Sequence, residues 1–362
     1  MGGRDGPDWP WFHIISREKE LAQERELADS KNDVKYTAEN INKKGMKGLE
    51  ALLSVLSDLS KSDAPIIADE GYVRGEMKNL DYKLKDVEDI VRDERLYEGI
   101  ETTESLGIVI SAAINNVIKP GEKVYIKSIK PVDNLFYNLK DAEGHVDIAG
   151  NYLGENAVNS NIFARKAGDA AGHKMKNSEM HIYKAANNAG FSMEDSKIYV
   201  NKAGERLGGS SERSLISAKK ADAELGWHSF KSKIYVDKAG YGLGAYATDC
   251  EIHFNEARDN AAMSVKRCKV YGKKAGEDFG ARAFESKMYV DELGYNAGLY
   301  MQYSEIHFKK LDGALGKWDP GSRRRELHNK LYKNGLPFVP FYIIHAIDWF
   351  NCVINDYLRG EI

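Results

Sequence analysis

Five lysines recur at intervals of eighteen residues: Lys166, Lys184, Lys202, Lys220 and Lys238. If the chain winds so that each returns above the last, their ammonium groups form a row. A row of like charge attracts carboxylates or phosphates. A second row lies three residues earlier at the same interval: Phe163, His181, Tyr199, Ser217, Tyr235, His253, Tyr271, Tyr289 and His307. Rings so placed can stack on one another, or receive bases or sugars. The five lysines, with Tyr199 and Tyr235, are the candidate partner- or polyanion-binding residues. In the competing reading the lysines fan apart into water, helped by Asp169 and Glu205 three residues on, and the rings lie beneath a covering element.

Nothing of comparable regularity points to catalysis. His181, His253 and His307 are three or four intervals apart, too far for one zinc ion. Asp259 and Glu277 form the best stacked pair of acids, with Asp278 beside them, and a carbohydrate-cleaving site needs such a cluster. Cys250 and Cys268 share one position in adjacent repeats, close enough in principle for a disulfide. Serine fills that position in the other repeats, so small turn residues are the simpler reading. The chain has no Cys-x-x-Cys pair and no phosphate-cradling glycine loop followed by Lys-Ser or Lys-Thr. No catalytic residue, metal or cofactor is expected, and no small-molecule substrate is identified.

These rows exist only if a repeating element positions them. Starting at Ser160, Ser178, Ser196, Ser214, Ser232, Cys250, Cys268, Ser286 and Ser304, the register holds with a period of 18. Numbering places from each start, the third is always apolar, the eighth is Ala or Leu, and the thirteenth is Gly except at Ala262. Alternation at places 3 and 5, and again at 12, 14 and 16, predicts two short strands per coil, each with one buried face. A unit this small cannot bury its apolar side alone, so coils must stack at ~4.8 Å. The glycine at place 13 fits a corner needing positive φ or close backbone approach. A left-handed hexapeptide helix is excluded, because places 3, 9 and 15 are not uniformly aliphatic.

Before the repeat the pattern is helical. Val73, Met77, Leu80, Leu84, Val87 and Val91 step by alternating fours and threes, the seam of a coiled coil, and are the candidate oligomerisation residues. Met46, Leu49, Leu53 and Leu56 make a shorter stripe. Their partner is a helix of the same chain or of another copy. Lys119-Pro120-Gly121 ends the helical part. After Trp318 the chain carries Arg323-Arg324-Arg325 and an apolar run in which His345, Asp348, Asn351 and Asn355 recur at helical spacing. No membrane span is expected, since the run is short and interrupted. Capping the last coil, or forming a subunit interface, is the preferred reading over lying flat on a membrane.

The 362 residues are 42% hydrophobic and 30% charged with a net charge of -3, ordinary values that exclude a strongly basic or acidic class. The charge is segregated: residues 1–159 hold 21 Lys+Arg against 30 Asp+Glu, and residues 160–318 hold 25 against 20. Three cysteines cannot make a disulfide framework. Met1–Asp8 lacks a signal-peptide pattern and position 6 is not Ser or Thr, so a cytoplasmic address is expected.

Val146–Gly154, Ala167–Met175 and Lys197–Gly208 resemble the GXGXG repeat domain, the right-handed β-helix found in the large chain of glutamate synthase and in one of the chains of formylmethanofuran dehydrogenase. The resemblance covers about residues 144–316. It implies a structural module, without catalytic residues of its own, that packs against catalytic domains or subunits. The chain departs from it with Ser or Cys where paired glycines are favoured, and with Lys166, Lys184 and Lys202 where Gly-Asn is favoured. No amidotransferase, flavin or iron–sulfur signature accompanies it.

The expected architecture is therefore α+β: an N-terminal helical, coiled-coil-like domain (1–120), a right-handed parallel β-helix or β-solenoid of 18-residue coils (121–318), and a C-terminal apolar capping helix (319–362). The expected function is a non-catalytic scaffold or assembly protein that forms homo-oligomers, or joins a protein subunit partner, through its helices and docks partners on the solenoid face. A nucleic-acid-binding module using the Lys ladder is the alternative, and a β-helix carbohydrate-active enzyme the third reading.

Overall fold

The computed structural model describes residues 50, 52–57, 75, 77, 80–98, 103–312 and 330–337. Its centre is a parallel β-solenoid. Strands β1 (Lys123–Ile126), β2 (Glu143–Ile148), β3 (Asn161–Ala167), β4 (Glu179–Ala185), β5 (Lys197–Ala203), β6 (Leu215–Ala223) and β7 (Lys233–Tyr241) pair in chain order. They are followed by β8 (Glu251–Ala257), β9 (Lys269–Ala275), β10 (Lys287–Leu293), β11 (Glu305–Leu311) and β12 (Lys330–Lys333), closed by the antiparallel β13 (Leu336–Pro337). From β2 to β11 the paired residues are eighteen apart, so Ile198 lies against Ile216 and Ile234 against Ile252.

The strand forms because β-branched residues alternate with polar ones over places 2 to 5. Every place-3 side chain from Ile162 to Ile306 is fully buried. After place 5 the alternation breaks. Place 6 drops out of the pairing, places 6 and 7 both point outward, and the small residue at place 8 turns in. The strand thus bends at a corner that carries two outward side chains.

The second strand expected at places 12, 14 and 16 is not there. Places 12 and 16 do face inward, as Leu153 and Ala157 show. The backbone, however, has positive φ at every second residue: 57° at Arg206, 64° at Gly208 and 53° at Ser210. That run reverses successive N–H groups. Arg206 donates to Ala223 of the next coil, Gly208 to Ala189 of the previous one, and Ser210 to Trp227 of the next. All three are satisfied without extended structure. What remains of the second strand is a single bridge per coil at place 17, such as Lys176 to Glu194 to Glu212.

At the N-terminal end helix α2 (Glu104–Val117) covers the first coil. Ser111 Oγ donates to Asn134 O at 3.0 Å and Asn115 Nδ2 to Tyr137 O at 3.0 Å. A Cβ at Gly107 would overlap the Asp133 carbonyl, so the close approach requires glycine there. Its other side receives α1 (Leu84–Ile90), and Tyr82 Oη donates to Ala113 O at 3.1 Å. Helix α2 is buried nearly all round, as an apolar helix between two layers must be.

The coiled-coil seam needs correction. Residues 80–83 are not helical and α1 begins only at Leu84, so the stripe is not one continuous helix. Met77, Val87 and Val91 are buried in the chain's own core with Leu80 and Leu84 packed against it, which leaves little of them to offer another copy. Val73 lies outside the described residues, as do Met46 and Leu49; Leu53 and Leu56 are buried. The C-terminal segment is described only over residues 330–337, and the apolar run from Phe338, expected to form the capping helix, lies outside the described residues. Within 319–362, residues 330–333 are a strand, and the Asn334-Gly335 turn, with φ of 52° and 77°, folds β13 back on it. Both central residues at positive φ is the hairpin geometry that Asn-Gly favours. His345, Asp348, Asn351 and Asn355 lie outside the described residues. Among the described residues no helix is long and apolar enough to cross a membrane.

Candidate docking face

One flat face and the corner beside it carry both rows. On the face, place 4 projects outward and its rings stack along the rod: Phe163–His181 at 4.9 Å, His181–Tyr199 at 4.7 Å, Tyr235–His253 at 4.9 Å, His253–Tyr271 at 4.8 Å. The stack continues through Tyr271–Tyr289, Tyr289–His307 and His307–Tyr332, with rings within 20° of parallel throughout. Such a row gives most of its ring faces to neighbouring rings, so the expected stacking of bases or sugars on it has little ring face to use. Ser217 interrupts it between Tyr199 and Tyr235. This notch is closed: Ser217 has no exposed surface, and its Oγ is without a hydrogen-bond partner. Burial pushes the Tyr199 hydroxyl pKa up to about 12.

Place 2 is coupled to place 4 in a way the sequence reading missed. Each ladder histidine has a glutamate two residues before it. Glu143 meets His145 at 2.5 Å, Glu179 meets His181 at 2.6 Å and Glu251 meets His253 at 2.7 Å. Glu305 stands 3.6 Å from His307, beyond a hydrogen bond. Every ladder tyrosine has lysine instead, and Lys197 reaches Glu179 of the coil before it at 3.3 Å. The signal was legible as Glu-x-His alternating with Lys-x-Tyr.

The corner holds the lysines. Lys166, Lys184, Lys202, Lys220 and Lys238 are in register in successive coils, and all five are exposed. Lys238 is neutralised by Glu256 at 2.9 Å, which raises the lysine pKa. Among the described residues no carboxylate lies within 4.0 Å of the other four ammonium groups. Asp169 does not help Lys166, because its Oδ1 accepts the Asn187 N–H at 2.8 Å, and Asn187 Oδ1 accepts the Glu205 N–H in turn.

Elsewhere on the rod many charges pair between coils, although among the described residues Lys219, Lys233, Lys269, Lys273 and Arg282 also have no carboxylate within 4.0 Å. Neighbouring columns pair coil by coil: Arg165–Asp147 at 2.7 Å, Lys176–Glu194 at 3.1 Å, Arg206–Glu224 at 2.6 Å, Arg213–Asp195 at 2.8 Å and Arg267–Asp249 at 2.6 Å. What sets the four strip lysines apart is their succession: they follow one another in register through four coils with no carboxylate in the column between them.

The remaining candidates lie in ladders that run from coil to coil. Asp259 and Glu277 are adjacent, but Asp259 Oδ1 accepts the Glu277 N–H at 2.9 Å, continuing the Asn/Asp ladder of place 10. Place 1 is a buried hydroxyl ladder in which Ser178 N donates to Ser196 Oγ at 3.1 Å and Ser196 N to Ser214 Oγ at 3.2 Å. Cys250 and Cys268 continue it as buried free thiols, with Cys250 N donating to Cys268 Sγ at 3.4 Å. Contact with Cys268, and then burial, push the Cys250 thiol up. Among the described residues no group of three or more metal-ligating side chains comes together.

No family model matches the chain, and no curated protein or solved structure is significantly similar to it.

Proposed function

We propose that the protein is a non-catalytic scaffold, a rigid solenoid that docks an anionic partner along the corner strip Lys166–Lys184–Lys202–Lys220. The observation carrying this reading is the contrast within one column, between those four uncompensated lysines in succession and the alternating Lys238, Glu256, Lys274, Glu292 and Lys310 that follow. Like charges held in register repel, so four lysines in succession with no carboxylate between them leave this stretch of the column open for a partner to complete. The non-catalytic part of the reading is supported by the use of Asp259 to hold backbone. Assembly with other copies belongs to the same proposal, through surfaces other than the buried seam of Met77, Val87 and Val91. So do the right-handed sense of the coil and its kinship with GXGXG modules. Parallel strand connections in one sheet are overwhelmingly right-handed, and glycines recur at places 9 and 13 as in such modules.

The test uses two variants of equal net charge. Lys184→Glu with Lys202→Glu alters the strip; Lys274→Glu with Lys310→Glu alters the balanced part of the same column. On an anionic chromatography matrix the strip variant should elute at clearly lower salt than the control variant. Equal elution of the two would overturn the docking strip.

A further inference from the structure

Resting on that reading, we infer that the anionic partner is single-stranded nucleic acid, held by its phosphates on the Lys166–Lys220 strip with one base stacked on Tyr183. The strip is a convex corner, not a cleft. Places 6 and 7 are two successive outward residues, so the strip can follow a flexible backbone but cannot enclose a small anion. Its charges are spaced ~4.8 Å apart along the rod. An acidic polypeptide strand presents carboxylates on one face only every second residue, ~6.6 Å apart, a repeat different from that of the lysines. A single nucleic-acid strand joins its phosphates by several freely rotating backbone bonds and sheds condensed counterions on binding, so its charges can adjust to the spacing of the ammonium groups.

The second observation separates this partner from other polyanions. Tyr183 occupies place 6 on the same corner, immediately before Lys184, and is 42% exposed. Among the described residues its ring has no aromatic contact and its hydroxyl no hydrogen bond. Place 4 spends its rings on one another, whereas Tyr183 keeps its ring free beside the strip. Lysine for phosphate with an open aromatic for a base is the combination by which proteins hold single strands without reading sequence. Tyr199 and Tyr235, expected in this role, are occupied on one face by ladder histidines and closed over Ser217 on the other.

Fluorescence anisotropy of the full chain with a labelled oligothymidylate tests the inference. Four phosphate contacts predict a slope of log affinity against log salt of about −2.8, and Lys202→Gln should lower its magnitude by about 0.7. Tyr183→Ala should weaken binding about fivefold or more, while Tyr183→Phe retains it. Poly-glutamate of the same length and anionic phospholipid vesicles are the competing probes. If either binds as tightly as the oligonucleotide and depends on the same lysines, the nucleic-acid inference fails while the docking strip stands. If Tyr183→Ala binds like the parent chain, the base-stacking role fails. If no probe binds and the strip variant behaves as its control on the anionic matrix, both proposals fall.

Discussion

At the scale of single residues, the interior of the coil is set by which atoms can stand over a place-13 glycine. A Cβ at Gly208 would overlap Ile216 of the next coil, and a Cβ at Gly226 would overlap Ile234. Where place 13 is Ala262, at φ 56°, the residue below it is Val270, which lacks the δ-methyl that would collide. The two positions are therefore one packing decision. Val270→Ile alone should cost about 1–3 kcal/mol by overpacking, and adding Ala262→Gly should restore most of it. A double-mutant cycle by urea denaturation checks this; additive losses would mean the two side chains do not share the space. Ser217 makes the opposite case. Its buried hydroxyl has no partner, so Ser217→Ala should leave stability unchanged or raise it by about 1 kcal/mol. A loss of similar size in the same denaturation series would mean the hydroxyl is bonded.

At the scale of the strand, the Glu-x-His pairs make stability depend on pH. The hydrogen bond from His181 beside Glu179 holds its carboxyl below the usual carboxylate range, against the opposing effect of burial and with further help from the His181 and Lys197 charges. A depressed folded-state pKa contributes stability that is present above the unfolded pKa and lost as pH falls through the folded one. Glu179→Gln should therefore destabilise the chain at pH 7, and the difference from the parent should vanish in acid below the folded pKa. Urea midpoints measured across that range decide it; a difference independent of pH would remove the carboxylate from the explanation. The same strand shows what the sequence made legible. The period, the inward face and both outward rows follow from side-chain type at fixed spacing, and all three are observed. The turn run was misread because inward residues at places 12 and 16 mimic a strand's alternation, while the left-handed residues between them, from Arg206 to Tyr246, are of many types. The coiled-coil seam was overextended because stripe spacing takes no account of the break at residues 80–83.

At the scale of the whole molecule, charge balance and stability are in tension along one corner. Each neighbouring pair of strip lysines repels by up to about 1 kcal/mol in water, less as the side chains splay and as salt screens them. Further along the same column the repulsion is absent, because Lys238, Glu256, Lys274, Glu292 and Lys310 alternate in sign. Lys184→Glu would set a short alternation of the same kind inside the strip, replacing repulsion toward Lys166 and Lys202 with attraction. The expected outcome is a gain of a few tenths to about 1 kcal/mol at low ionic strength that shrinks with added salt, read from thermal or urea unfolding. The same substitution should weaken retention on an anionic matrix. Opposite signs in the two measurements identify residues kept for a partner at the expense of the fold. If Lys184→Glu instead destabilises the chain, the four lysines hold the corner together and the strip is part of the architecture, not a place for something else to bind.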